Sequence, residues 1–289
     1  RRAAAQAGHG TMILIGPVLG GHLVTIEKID GFPGHADGVP GYELCPTVQM
    51  QAAEAGAAFA MEGVQSLEQD GDSWAVATAA ARYTARAVIL ATGTRFRTLG
   101  VPGEAEFAGR GVSQCASCDA PLMRNRPVVV VGGGDSACQE ALTLVPHVSK
   151  ITLVTGGGAL TAQALYRDAV MAEPKIEIML KSSVWEIAGD DGVSAVHVRN
   201  AHGFDVDIAA HGVFVFTGLQ GNSDLVAARL PVDGDGRIAV DGEMRTALPG
   251  LLAAGTVRQG TKGRATSAME DGTTAALAAG RYLNDGAWP

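Results

Sequence analysis

The run Val128-Val-Val-Val131, followed at once by Gly132-Gly-Gly134-Asp-Ser-Ala137, constrains this chain more than any other stretch. Four β-branched residues in a row favour a strand buried on both faces. The glycines then let the backbone turn sharply, and residues 135–144 place apolar side chains at helical spacing. Strand, Gly-x-Gly-x-x-Ala turn and helix together open a βαβ unit whose helix N-terminus can receive the pyrophosphate of a dinucleotide. Gly132, Gly134, Asp135, Ser136 and Ala137 are therefore candidate nucleotide-binding residues. The competing reading is a tight strand-to-helix turn that holds no ligand.

Just upstream stands Cys115-Ala-Ser-Cys118-Asp119. A two-residue gap lets the sulfurs close a small disulfide ring, and Cys-x-x-Cys beside a βαβ pattern is more often redox than structural. Zinc would need two more soft ligands at similar spacing. Neither Cys45 nor Cys138 supplies a second pair or a nearby histidine cluster, so no metal is expected. Both read instead as small buried residues.

A chain of 289 residues holds about two domains and a large core. Its net charge is -8, with Lys and Arg scattered rather than striped, which sets nucleic acid aside. Four cysteines, only two of them closely spaced, do not make a secreted disulfide framework, and a reducing cytoplasm fits better. No apolar run approaches the length that spans a bilayer, so no membrane association is expected. Arg1-Arg2 and the alanines after it suggest an export signal, but His9-Gly10 interrupts them and residues 12–15 read as a strand.

Periodicity predicts the end of an Ala-rich helix at residues 3–8 and a strand at 11–15. A helix at 42–57 follows, then short strands at 74–77 and 83–85 and a buried strand at 87–90. A boundary is expected near 94–100. Beyond it lie strands at 127–131, 151–154, 176–180, 195–200 and 213–216, with helices at 135–144 and 161–171. A return linker is read at 218–223, then a strand at 251–254, a loop at 255–263 and a long helix at 266–283.

Several motifs now stand in one order: Gly20-Gly-His-Leu23, Ala91-Thr-Gly93, Gly109-Arg-Gly-Val-Ser-Gln-Cys-Ala-Ser-Cys-Asp119, the Gly132 turn, and Leu248-Pro-Gly-Leu-Leu-Ala-Ala-Gly255. Together they resemble the low-molecular-weight thioredoxin reductases, FAD-dependent pyridine nucleotide-disulfide oxidoreductases, nearly end to end. The resemblance implies an α/β fold of two Rossmann-like three-layer (ββα) nucleotide-binding domains, one inserted in the other. Residues 1–98 and 224–289 would form the FAD domain, and 99–223 the pyridine-nucleotide and dithiol domain. It also implies that Cys118 faces the flavin, Cys115 attacks the substrate disulfide, and Asp119 serves as general acid. FAD would lie against Gly20, Gly21, His22, Leu23, Ala91, Thr92, Gly93, Gly255, Thr256, Arg264 and Ala265. The partner would be a thioredoxin-like protein or a small-molecule dithiol or disulfide, and the assembly a homodimer.

The chain departs from the family pattern at four places. The first strand and its Gly-x-Gly-x-x-Gly are missing, which reads as a fragment of a longer protein. Thr155-Gly-Gly-Gly158 replaces the basic 2′-phosphate motif, which sets NADPH use in question. Thr256 stands where the family has an Asp for the ribityl chain. Gly263-Arg264-Ala265 replaces Arg-Gln-Ala and would bring a guanidinium to the flavin pyrimidine edge. The alternatives are a dithiol oxidase that passes electrons to oxygen, and a nucleotide-binding module without turnover.

Overall fold

A computed structural model describes residues 8–288, so the helix read at residues 3–8 lies almost wholly outside the described residues. The chain divides into two compact units, residues 1–95 with 220–289 and residues 96–219.

In the discontinuous unit, β1 (Met12–Leu14) pairs in parallel with β2 (Ala58–Ala60) across the helix α1 (Gly41–Glu54). Ile13, Ile15, Ala52 and Ala57 form the small core of this βαβ element. An antiparallel meander follows: β3 (Val64–Asp70), β4 (Ser73–Thr78) and β5 (Arg82–Ala85). Its buried Trp74 donates its indole N–H to the Pro249 carbonyl at 3.0 Å. β6 (Val88–Leu90) then leads to the crossing at β7 (Thr94–Phe96).

The inserted unit is built on a five-stranded parallel sheet. Its members are β8 (Val112–Ser113), β9 (Pro127–Val131), β10 (Lys150–Val154), β11 (Ile176–Met179) and a later strand. The dithiol helix α2 (Ala116–Asp119) follows β8, α3 (Asp135–Leu144) follows β9, and α4 (Ala164–Ala172) follows β10. A second meander comes next, β12 (Ser183–Gly189), β13 (Val193–Arg199) and β14 (Asp205–Ala209). Strand β15 (Gly212–Val215) completes the sheet in the order β11-β10-β9-β15-β8, and β16 (Leu219–Gly221) carries the chain back.

The valine run explains the layering. Val128 and Val130 pack with Ala137, Ala141 and Leu144 of α3, whereas Val129 and Val131 pack with Val184, Ile187, Val196 and Val198 of the meander. Period-two alternation thus gives one strand two apolar faces, helix on one side and meander on the other. Each such valine contributes about 1.5–3 kcal/mol by burial.

On its return the chain forms β17 (Leu251–Ala253), parallel to β6, and the 21-residue helix α5 (Ala265–Asp285). The layering repeats here. Leu251 and Ala253 face Trp74 and Val76, while Leu252 and Ala254 face Ala275, Ala278 and Ala279 of α5. Among the described residues no helix is long and apolar enough to cross a membrane.

The structure corrects several boundaries. The helix read at 161–171 begins only at Ala164, because residues 161–163 are tied to the glycine turn. The linker read at 218–223 contains a strand, and the loop read at 255–263 opens with the 3-10 turn Gly255–Val257. Strands β2, β3, β7, β8, β12 and β14 were not expected at all.

Candidate active site

Cys115 and Cys118 are joined as a disulfide, with Cα atoms 5.3 Å apart. Sequence alone makes the turn: Cys115 has extended φ/ψ and takes the N-cap position, so its sulfur accepts a hydrogen bond from the Cys118 N–H at 3.3 Å. The Ser113 hydroxyl accepts from the Cys115 N–H at 3.0 Å. The next N–H, on Ala116, donates to the carboxylate of Glu140 at 2.8 Å. Glu140 is buried and belongs to α3, so the helix behind the glycine turn also pins the dithiol turn. Sequence reasoning missed this residue. Its signal was an acidic side chain among Ala137, Ala141 and Leu144 on the apolar stripe of α3.

Asp119 closes α2 half-buried, and its carboxylate has no partner among the described residues. Cys118 is exposed and Cys115 half-buried. The other two cysteines are buried, and desolvation, followed by the nearby Asp135 charge, pushes the Cys138 thiol up to about 11. A raised value keeps the thiol protonated, and at pH 8 only about one Cys138 in a thousand is thiolate. Ellman's reagent added to reduced native protein should therefore find two rapid thiols. A third fast thiol before unfolding would contradict the geometry.

At the glycine turn, Gly132 has φ +139°, and a Cβ there would lie 2.2 Å from the Phe216 carbonyl oxygen. A Cβ on Gly133 would lie 2.7 Å from Thr155 Oγ1, so the turn excludes side chains. Gly134 caps α3 without a side-chain bond, which leaves the first N–H groups of the helix for a ligand. Ala137 is fully buried and lets helix and strand approach closely. The Asp135 carboxylate accepts from Gln163 N–H at 2.7 Å and from Gln163 Nε2 at 2.6 Å. Thr161 N–H donates to the Gly133 carbonyl at 2.8 Å. These residues fit a dinucleotide pyrophosphate; Ser136 lies in the first turn of the same helix.

In the discontinuous unit the parallel pairing of β6 and β17 brings three separated segments to one end. Ala254 N–H donates to the Leu90 carbonyl at 2.9 Å, which sets Ala91-Thr92-Gly93 beside Gly255-Thr256. The hydroxyls of Thr94 and Thr256 lie 3.4 Å apart, and Thr256 Oγ1 stands 3.7 Å from where a Gly93 Cβ would be. A Gly255 Cβ would lie 3.7 Å from Ala268, in the first turn of α5, where Arg264 is an N-cap without a side-chain cap bond and Ala265 begins the helix. Hydroxyls, a glycine edge and an uncapped helix start fit the polar edge of a flavin. Gly20, Gly21, His22 and Leu23 stand in and just before the 3-10 turn Gly21–Thr25. Gly20 there packs so tightly that a Cβ would meet Cys45 Sγ at 2.4 Å. Burial holds the His22 imidazole below its ordinary pKa.

Residues 1–272 match the family model described as pyridine nucleotide-disulphide oxidoreductase. The chain belongs to this family. It is 35% identical over 282 residues to the thioredoxin reductase of Treponema pallidum, covering 97% of this chain and 92% of that protein. It is 36% identical to the bifunctional thioredoxin reductase/thioredoxin of Mycobacterium leprae, covering 97% of this chain and 62% of that one. The solved thioredoxin reductase of Lactococcus lactis superposes with a TM-score of 0.94 at 32% identity, over 98% of this chain and 94% of that chain. This family member is a flavin disulfide oxidoreductase of the thioredoxin reductase type, with the two Rossmann-like domains that its sequence implied.

Proposed function

We propose that Cys115–Cys118 cycles between disulfide and dithiol and delivers two electrons to the disulfide of a thioredoxin-like protein, with a reduced pyridine nucleotide as the source. The observation that carries this reading is the disulfide held at a helix N-terminus by Glu140, on the helix that also opens at the glycine turn. Bound FAD, for which residues 91–93, Gly255, Thr256, Arg264 and Ala265 are the proposed holders, supplies the conversion of a hydride into the electron pair that opens a disulfide.

The chain's own residues then perform thiol–disulfide exchange. Cys115 as thiolate attacks one sulfur of the substrate disulfide, forms a mixed disulfide and expels the other substrate sulfur as a thiolate. Cys118 as thiolate attacks Cys115 Sγ, which closes the ring again and frees the second substrate sulfur. Asp119, whose carboxylate has no partner among the described residues, hands protons to the leaving thiolates.

The thioredoxin-like substrate is supported by the names of the relatives, one of which joins reductase and thioredoxin in a single protein. The test is anaerobic titration of the yellow holoprotein with NADPH and NADH, followed by oxidised thioredoxin. Bleaching by either nucleotide, and thiols appearing on thioredoxin, supports the proposal. Bleaching only by a dithiol, with peroxide formed in air, would replace it with the dithiol oxidase.

A further inference from the structure

We infer that Lys181 is the residue that reads the 2′-phosphate of an adenine dinucleotide, a task the sequence around Thr155 leaves vacant. The inference rests on the reading that the glycine turn takes a pyridine nucleotide.

In a Rossmann fold the residue that senses the ribose 2′ position stands at the carboxyl end of the second strand, about 20 residues past the glycine turn. Here that end is Val154-Thr155-Gly-Gly-Gly158, without any charge. The sheet order, however, sets β11 directly beside β10, in parallel, so the residues leaving β11 emerge at the same edge. Lys181 is among them. Its N–H donates to the Gly157 carbonyl at 2.9 Å, and the Ser182 N–H donates to the Thr155 carbonyl at 3.0 Å. A Cβ on Gly158 would lie 3.4 Å from Lys181 Cε, so the side chain passes beside the bare backbone at Gly158. A Cβ on Gly156 would meet nothing within 4 Å, so the turn is open to a ligand at that residue.

Two further facts mark this lysine. Its φ is +50°, a backbone region that residues other than Gly and Asn rarely occupy, so the lysine sits there against local preference. Its ammonium has no ion-pair or hydrogen-bond partner among the described residues, whereas Arg167, the other basic candidate near the turn, is held by Asp168 at 2.9 Å. Lysine binds phosphate as a point charge and needs no bidentate geometry. A cation borrowed from the third strand does the work usually given to the second.

The experiment uses holoprotein and two probes, 2′,5′-ADP and 5′-AMP, with dissociation constants measured by calorimetry. The wild-type chain should bind 2′,5′-ADP at least about tenfold more tightly, the low end for a hydrogen bond to a charged group. Lys181→Asn, which suits the left-handed backbone and so keeps the fold, should bring that ratio to about one with 5′-AMP unchanged. Lys181→Arg should keep the preference. If the Asn variant retains it, another group reads the phosphate and the inference fails. If the wild-type protein binds both probes equally, the inference fails while the nucleotide site stands. Binding of neither probe would overturn the nucleotide reading itself, and Lys181 with it.

Discussion

Cys118→Ser should reduce turnover with a disulfide substrate on the order of 10⁴-fold or more, the scale on which losing one member of a covalent catalytic unit acts. Serine at this position cannot close the ring, so Cys115 can attack the substrate but nothing displaces it afterwards. The variant should therefore accumulate a mixed disulfide with thioredoxin, visible on a non-reducing gel. Cys115→Ser should be equally inactive and should trap none. The asymmetry follows from the turn: the Cys118 N–H points at Cys115 Sγ, and a hydrogen bond to that sulfur favours its thiolate form. Trapping by Cys115→Ser instead would exchange the two roles, and unchanged turnover in either variant would remove the dithiol from the mechanism.

Local signals were the ones the sequence carried in full. Helix 135–144 was bounded correctly because its strand, glycine turn and apolar stripe adjoin one another in the chain. The second meander was only partly legible. A bulge between Val184 and Glu186 breaks the period-two pattern of β12, and β14 is a half-exposed edge strand that begins Asp-Val-Asp. Helix α4 was placed three residues early, since Thr161 and Gln163 have helix-compatible side chains but spend their N–H groups on Gly133 and Asp135.

Glu140 and Lys181 act 23 residues or more from the groups they serve, on Ala116 and the turn at 155–158, and no pattern at that range marks them. The flavin-end segments were legible only by resemblance. Their convergence depends on β6 pairing with β17 across more than half the chain.

Asp271→Ala should destabilise the discontinuous unit by about 3–5 kcal/mol, the cost of breaking a buried ion pair from one side. Asp271 is 4% exposed at its side chain and Arg258 14%. The carboxylate accepts from Arg258 Nε at 2.7 Å, from Arg258 Nη2 at 2.6 Å and from the Gly255 N–H at 3.1 Å. Removing it strands a guanidinium in a low-dielectric site and leaves a buried N–H unpaired. The loss should appear as a lower urea midpoint in tryptophan fluorescence, which buried Trp74 reports from the same unit. Arg258→Met combined with Asp271→Leu should recover most of the stability, because neither charge is then buried alone. Flavin retention separates packing from site geometry. Gly255 neighbours Thr256, and if the Asp271 carboxylate orders that edge, the double variant should regain its urea midpoint yet hold FAD more weakly than the parent. Full recovery of both would reduce Asp271 to a packing role, and a single variant as stable as the parent would show that the pair contributes nothing.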